Sequence, residues 1–466
     1  MTQVATLLFL IGVIGLFRLN RDPEVKTSKA IWLPVIWLWI AGSRPVSDWF
    51  SGSDVSSAGQ LMDGSPLDRN IYILLLAIAV AVLCTRGPAV FKLLRQNGPL
   101  LLFLAYCVAS IAWSDYPDVA VKRWVKSLGD YAMIFIILTD ENRVAAIKRV
   151  FSRLSFVLIP ASILLIKYYP ALGRKYASHW DSTVFFTGVT TDKNMLGVTF
   201  LICGLGSMWQ FLQQVQADKG QRKRGPLIAH GATVLMTLWV AAMANSMTSL
   251  SSFLLGSALM FAVGFPKIAK KRALVHTMVF GAVTFCFCVL FLGVGGFLLE
   301  SVGRNSTLTG RTELWSTILG MTSNKLLGTG FESFWLGTRL EKLWSMYWWH
   351  PNEAHDGYLE MYLNLGWIGV TLLAILMING YRNVLRRLTE DRVTGPLFLA
   401  FFFVGVAYNF TEAATRTMSP VWICFIMAAL AFPKSQPQPA PQPRPVPESD
   451  SRKKRTWERT PVHIPA

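Results

Sequence analysis

Residues 350–369, HPNEAHDGYLEMYLNLGWIG, open with His350, Asn352, Glu353, His355 and Asp356 and then run into a mostly apolar stretch that continues to about residue 380. Such a stretch is long enough to cross a bilayer as a helix, since a span needs about 20 residues. The segment therefore reads as a polar loop ending in histidine at the lip of a membrane helix. Ionisable groups are costly at membrane depth and are usually kept there for a function.

The rest of the chain agrees with a membrane setting. Of its 466 residues 52% are hydrophobic and only 15% charged, with a mean hydropathy of +0.40. That is too apolar for a soluble domain of this length. The long apolar runs lack the alternation of a transmembrane barrel, so the fold class is an all-α polytopic membrane protein. The expected spans are 4–19, 30–42, 70–84, 98–113, 124–139, 150–169, 194–216, 227–244, 249–266, 274–299, 355–380, 396–411 and 418–432. These make thirteen crossings, or twelve if the short second one is re-entrant. They form one transmembrane domain, 1–432, with a single large external loop at 300–354.

Lysine and arginine collect in alternate connections, among them Arg18, Arg21 and Lys26, then Arg143, Lys148 and Arg149, then Lys219, Arg222 and Lys223. The positive-inside rule assigns these connections to the cytoplasm and loop 300–354 to the other side. The net charge of +18 follows from this distribution and calls for anionic lipid rather than nucleic acid as a partner. Lys122, Arg123 and Lys126 break the pattern by falling on the outer side, where they either snorkel or hold an anionic headgroup. The N-terminal apolar run has no basic leader and reads as the first span rather than a removed signal. Residues 433–466, rich in proline and then basic, read as a disordered cytoplasmic tail. All six cysteines fall in apolar spans, which argues against disulfides and against a metal cage.

The polar residues of the outer loops carry the candidate chemistry. In 300–354, Leu314, Trp315, Ile318 and Leu319 repeat at helical spacing, and Phe331 to Trp348 supply a second amphipathic stretch. Its tryptophans suit either an interfacial belt or a platform for sugar rings. Arg311 offers a planar fork that matches phosphate oxygens, or else pairs with Glu313 on the surface. His355, among Asn352, Glu353 and Asp356, could accept a proton from a sugar hydroxyl near neutral pH, with activity then lost in acid. The spacing of His350 and His355 does not fit a helical zinc-protease motif. Loop 170–193 has a cationic face in Arg174, Lys175, His179 and Lys193.

The run GRTELWSTILGMTSNKLLGTGFESFW from Gly310, followed by AHDGYLEMYLNLGWIGV from Ala354, resembles the O-antigen ligase and polysaccharide polymerase superfamily. TGVTTDKNMLG from Thr187 resembles its exopolysaccharide-polymerase branch. The likeness extends over roughly residues 100–432 when hydropathy is included. It implies a bacterial inner-membrane enzyme that takes a glycan from an undecaprenyl diphosphate carrier and passes it to an acceptor hydroxyl without metal or other cofactor. It implies His355 and Arg311 as catalytic residues, with diphosphate binding by Arg311 together with Arg174 or Lys193, assisted by Arg123. His350, Glu353 and Asp356 would complete the substrate site, and the pathway's flippase and chain-length regulator would be partners. Polymerisation of repeat units is the expected reaction. Transfer of finished glycan to a lipid A core or protein is the alternative. A flippase is disfavoured, because carriers need midplane ionisable sites and usually show internal repeats.

Overall fold

A computed structural model describes residues 1–22, 25–51, 64–176, 184–291 and 311–432. The expected tail at 433–466, the first part of the outer loop at 300–310 and His179 lie outside these residues. Counting helices of six residues or more, the elements are α1 (Thr2–Leu19), α2 (Trp32–Ala41), α3 (Val46–Ser51), α4 (Pro66–Thr85), α5 (Gly87–Gln96), α6 (Gly98–Ala109), α7 (Pro117–Leu138) and α8 (Arg143–Tyr168). After a two-stranded hairpin follow α9 (Lys193–Gln216), α10 (Arg224–Ala244), α11 (Met247–Gly264), α12 (Arg272–Phe291), α13 (Arg311–Gly320), α14 (Gly337–Met346), α15 (Gly357–Glu390), α16 (Gly395–Tyr408) and α17 (Pro420–Ala429). The protein is an all-α polytopic membrane protein.

Each expected span has a helix, but the helices differ in reach. Seven of those described (α1, α4, α8, α9, α10, α11 and α15) are long and apolar enough to cross a membrane, and α5 with the bent continuation through α6 would make an eighth. Helices α2, α16 and α17 have 10, 14 and 10 residues, about 15–21 Å, short of a hydrocarbon core of roughly 30 Å. The end expected for the span 274–299 lies outside the described residues. The fifth expected span, 124–139, begins earlier: Pro117 at the first helical position starts α7. Lys122, Arg123 and Lys126 thus ride on its opening turns rather than in a loop.

Local chemistry fixes the helix starts that matter most. Asp192 accepts from the amides of Asn194 and Met195 at 2.8 and 2.9 Å, and Asp356 accepts from those of Tyr358 and Leu359 at 2.9 and 2.8 Å. Each satisfies orphan donors of a first turn, of α9 and α15 respectively. Helix α9 is the most enclosed of the long helices, whereas α1 and α4 face outward. It packs on α8, α10 and α11. The hairpin pairs β1 (Arg174–Tyr176) with β2 (Val184–Phe186) in antiparallel register, Lys175 opposite Phe185.

The outer loop has its own small core. Leu314 and Ile318 of α13 and Leu340 and Leu343 of α14 pack with Phe334, Trp335, Ala354 and Leu363. The loop is anchored where α15 breaks at Gly366, which has φ +62°. The freed amides of Trp367 and Ile368 donate to the carbonyls of Lys325 and Leu326 at 3.0 and 3.3 Å. A Cβ at Gly366 would lie 2.2 Å from the Leu326 oxygen, so only glycine lets the loop strand fill the gap in the helix.

Candidate active site

The loop before α15 and the loop between α16 and α17 meet at His355. Its Nδ1 lies 3.0 Å from Glu353 Oε1 and 3.3 Å from Glu412 Oε2. Each carboxylate also has an arginine: Arg416 reaches Glu353 at 2.6 Å and Arg311 reaches Glu412 at 3.5 Å. The result is a chain of alternating charge, Arg416–Glu353–His355–Glu412–Arg311. Burial alone would disfavour the imidazolium, but hydrogen bonds and charges from Glu353 and Glu412 outweigh it and hold the pKa at about 9. Glu353, which burial would push up, is instead drawn down to about 2 by His355 and Arg416. At neutral pH the imidazole is therefore charged. The sequence alone predicts a neutral base near 6.5, and the two carboxylates favour the charged form instead. A charged imidazole can donate a hydrogen bond through Nε2, which has no partner among the described residues.

A cavity of about 660 Å³ opens beside this chain. Lys126 of α7, Lys175 of β1, Lys193 of α9 and Arg416 line it with His355, Glu353 and Glu412. Two backbone positions on it, His355 and Met418, have φ of 50° and 64°, and Glu332, on a smaller adjoining cavity, has 47°. Non-glycine residues held left-handed cost energy and cluster at functional sites. Asp130 of α7 helps to fix this geometry, accepting from Trp37 Nε1 at 2.7 Å and from the Met418 amide at 2.9 Å. A smaller cavity of about 80 Å³ adjoins through Asn352, Arg416 and Thr417 and is lined by Arg123, Asp130, Glu332 and Glu360. On another side a mainly apolar groove of about 450 Å³ runs between α4 and α7, sharing Pro45, Tyr72 and Lys126 with the large cavity.

The residues singled out in the sequence separate into groups. His355, Glu353 and Lys193 come together at the large cavity. Arg311 does not line it; its guanidinium donates to the Thr411 carbonyl at 2.8 Å and reaches the site through Glu412. Arg174 turns away, with Nε on the Ile166 carbonyl at 2.9 Å and its guanidinium over Phe186, and Lys175 takes its place. Arg123 lines the smaller cavity and donates to the Glu332 carbonyl. His350 stacks on Trp344 at 4.7 Å, outside both cavities. Asp356 serves as the cap of α15. Several tryptophans are structural ties: Trp315, Trp344 and Trp335 donate to Ala354, Pro351 and Glu360. Glu412 and Arg416 were not singled out, although two charges in a six-residue loop between apolar runs are a signal of their own.

Glu353, His355 and Glu412 place ligand atoms within 4.8 Å of one another, a donor set that could hold a divalent cation. Both carboxylates are already engaged with arginines, so a metal would have to compete with Arg311 and Arg416 at short range. The cluster as it stands is better matched to an anion in the adjoining cavity.

Two comparisons with known proteins bear on this site. Residues 232–374 match the family model described as O-Antigen ligase, which takes in α13, α14 and His355. The chain is 25% identical over 318 residues to the exopolysaccharide production protein ExoQ of Rhizobium meliloti (strain 1021), covering 66% of this chain and 69% of that protein.

Proposed function

We propose, from the likeness of residues 232–374 to the O-antigen ligase family and of the chain to an exopolysaccharide production protein, that it joins oligosaccharide repeat units carried on a polyprenyl diphosphate into an exopolysaccharide, at the outer face of a bacterial inner membrane. The observation that carries this reading is the convergence of Lys126, Lys175, Lys193, Arg416 and a cationic His355 on one cavity. A leaving diphosphate needs fixed positive charge where its own charge develops, and preorganised donors do this without reorganisation. The groove between α4 and α7 supplies an apolar path for the polyprenyl chain, with Lys126 at its junction with the cavity. The smaller cavity beyond Arg416 adds Arg123, Glu332 and Glu360 as polar groups within reach of an acceptor hydroxyl.

In this mechanism the acceptor hydroxyl oxygen bonds to the anomeric carbon while the bond from that carbon to the diphosphate oxygen breaks. The acceptor proton passes to the departing diphosphate. His355 holds that group through Nε2–H, and the lysines and Arg416 balance its charge. Glu353 and Glu412 keep the imidazole charged and oriented, and Arg311 orients Glu412. No step calls for a metal, because the cations of the cavity neutralise the leaving group.

The name of the relative from Rhizobium meliloti favours polymer production over ligation. Deleting the gene and examining the surface glycan distinguishes the two. The proposal expects loss of high polymer with single repeats remaining. Intact polymer missing from its lipid or protein acceptor would make the chain a ligase instead.

A further inference from the structure

The described residues hold a second basic cavity, of about 550 Å³, between the start of α8 and the end of α9, at the opposite end of α9 from the His355 cavity. Met195 of α9 lines the first cavity and Gln210 the second. These positions differ by 210 − 195 = 15 residues, about 22 Å along a helix. The distribution of lysine and arginine assigns this end to the cytoplasm.

Five cations and a single carboxylate, Asp22, line it. Four of the cations have partners: Arg149 donates to Thr27 and the Val25 carbonyl, Arg153 lies over the Trp32 ring at 3.9 Å, Lys223 pairs with Asp22 at 2.7 Å, and Lys148 stands 6.0 Å from the centre of the Trp209 ring. Of these, Lys148 has no carboxylate at ion-pair distance among the described residues, and neither has Arg21, the fifth cation. The floor is neutral and hydrogen-bonded. Fully buried His230 meets Asn20 at 3.2 Å, Asn20 donates to Ser152 at 3.0 Å, and Gln210 donates to Ser152 at 3.1 Å. The chain spends buried polar groups here that the transfer reaction does not use, and buried polar groups are retained at a cost. One wall belongs to α1, whose Phe17 and Leu19 stay exposed.

We propose that this cavity binds a phosphate-bearing anion, and that the anion is the headgroup of a phospholipid of the inner leaflet whose chains lie along α1. Surplus cations select the negative charge, as basic pockets between membrane helices do. The neutral floor supplies hydrogen bonds to phosphate oxygens. The outward-facing surface of α1 is what makes a lipid a better fit than a soluble phosphate.

The test uses the full chain purified in a neutral detergent, with thermal unfolding and native mass spectrometry as readouts. Phosphatidylglycerol is titrated against phosphatidylcholine, and inorganic pyrophosphate is titrated separately. Wild type should gain unfolding temperature and bound lipid with phosphatidylglycerol only. Arg21→Gln and Lys148→Gln should each raise the half-saturating concentration roughly fivefold. Should Lys148→Gln fail to fold, Arg21→Gln still reports, since Arg21 is exposed and its side chain has no hydrogen bond or ion pair among the described residues. Pyrophosphate protection that both variants lose would keep the phosphate site and overturn its lipid source. Equal responses to the two lipids, or variants that respond as wild type to every ligand, would overturn the proposal.

Discussion

At the scale of single residues, the account rests on how two carboxylates treat one imidazole. His355 sits at about 9 against its ordinary 6.5, and Glu353 at about 2 against 4.5. A raised histidine gives stability that is complete below pH 6.5 and lost as pH rises through 9. A depressed glutamate gives stability present above pH 4.5 and lost as pH falls toward 2. Transfer by wild type should therefore hold level from about pH 5 to 8 and decline above about 9, the reverse of what a neutral base would give. Glu412→Gln removes one of the two partners and should bring the alkaline decline down by roughly 1–2 pH units, read from kcat against pH. Arg311→Lys keeps a charge near Glu412 but loses the fork that also holds Thr411. It should lower kcat about tenfold and leave KM for the lipid-linked donor nearly unchanged, whereas direct diphosphate binding by Arg311 would raise KM.

Elements explain what could be read in advance and what could not. Apolar runs placed all thirteen helices, because hydropathy reports burial in lipid or protein alike. It could not tell full spans from the 10- and 14-residue helices α17 and α16, since the two environments look the same in sequence. His355 and Glu353 were legible from their place at the start of a membrane helix. Arg174 against Lys175 was not, because neighbours on a strand point to opposite faces and the register is set by pairing with β2. Arg416 and Glu412 come into the site only through tertiary contact with the loop before α15. The break in that helix gives a direct test. Gly366→Ala puts a Cβ 2.2 Å from the Leu326 oxygen at φ +62°, which should cost at least about 1–3 kcal/mol. Circular dichroism melting in detergent should show a lower Tm, and an unchanged Tm would mean that the inserted loop is not anchored there.

On the scale of the whole molecule, the reading needs both cavities at opposite faces of one bundle. Helix α9 runs from one cavity to the other, so the orientation of either fixes both. A reporter active only in the periplasm, fused after Ala466, should stay silent, and activity would invert the orientation. The carboxylates beside His355 are held by arginines rather than left for a cation, so chelation of divalent ions should leave the transfer rate unchanged; loss on chelation with recovery on adding a metal back would reassign Glu353, His355 and Glu412 as ligands. The most direct measurement is made on the purified chain in liposomes with polyprenyl-diphosphate-linked repeat units, following polymer length and released lipid diphosphate together. Wild type should lengthen the glycan by one repeat for each lipid diphosphate released, and His355→Ala should do so about 10²–10⁴-fold more slowly. Wild-type rates from His355→Ala, or lipid diphosphate released without chain growth, would contradict the account.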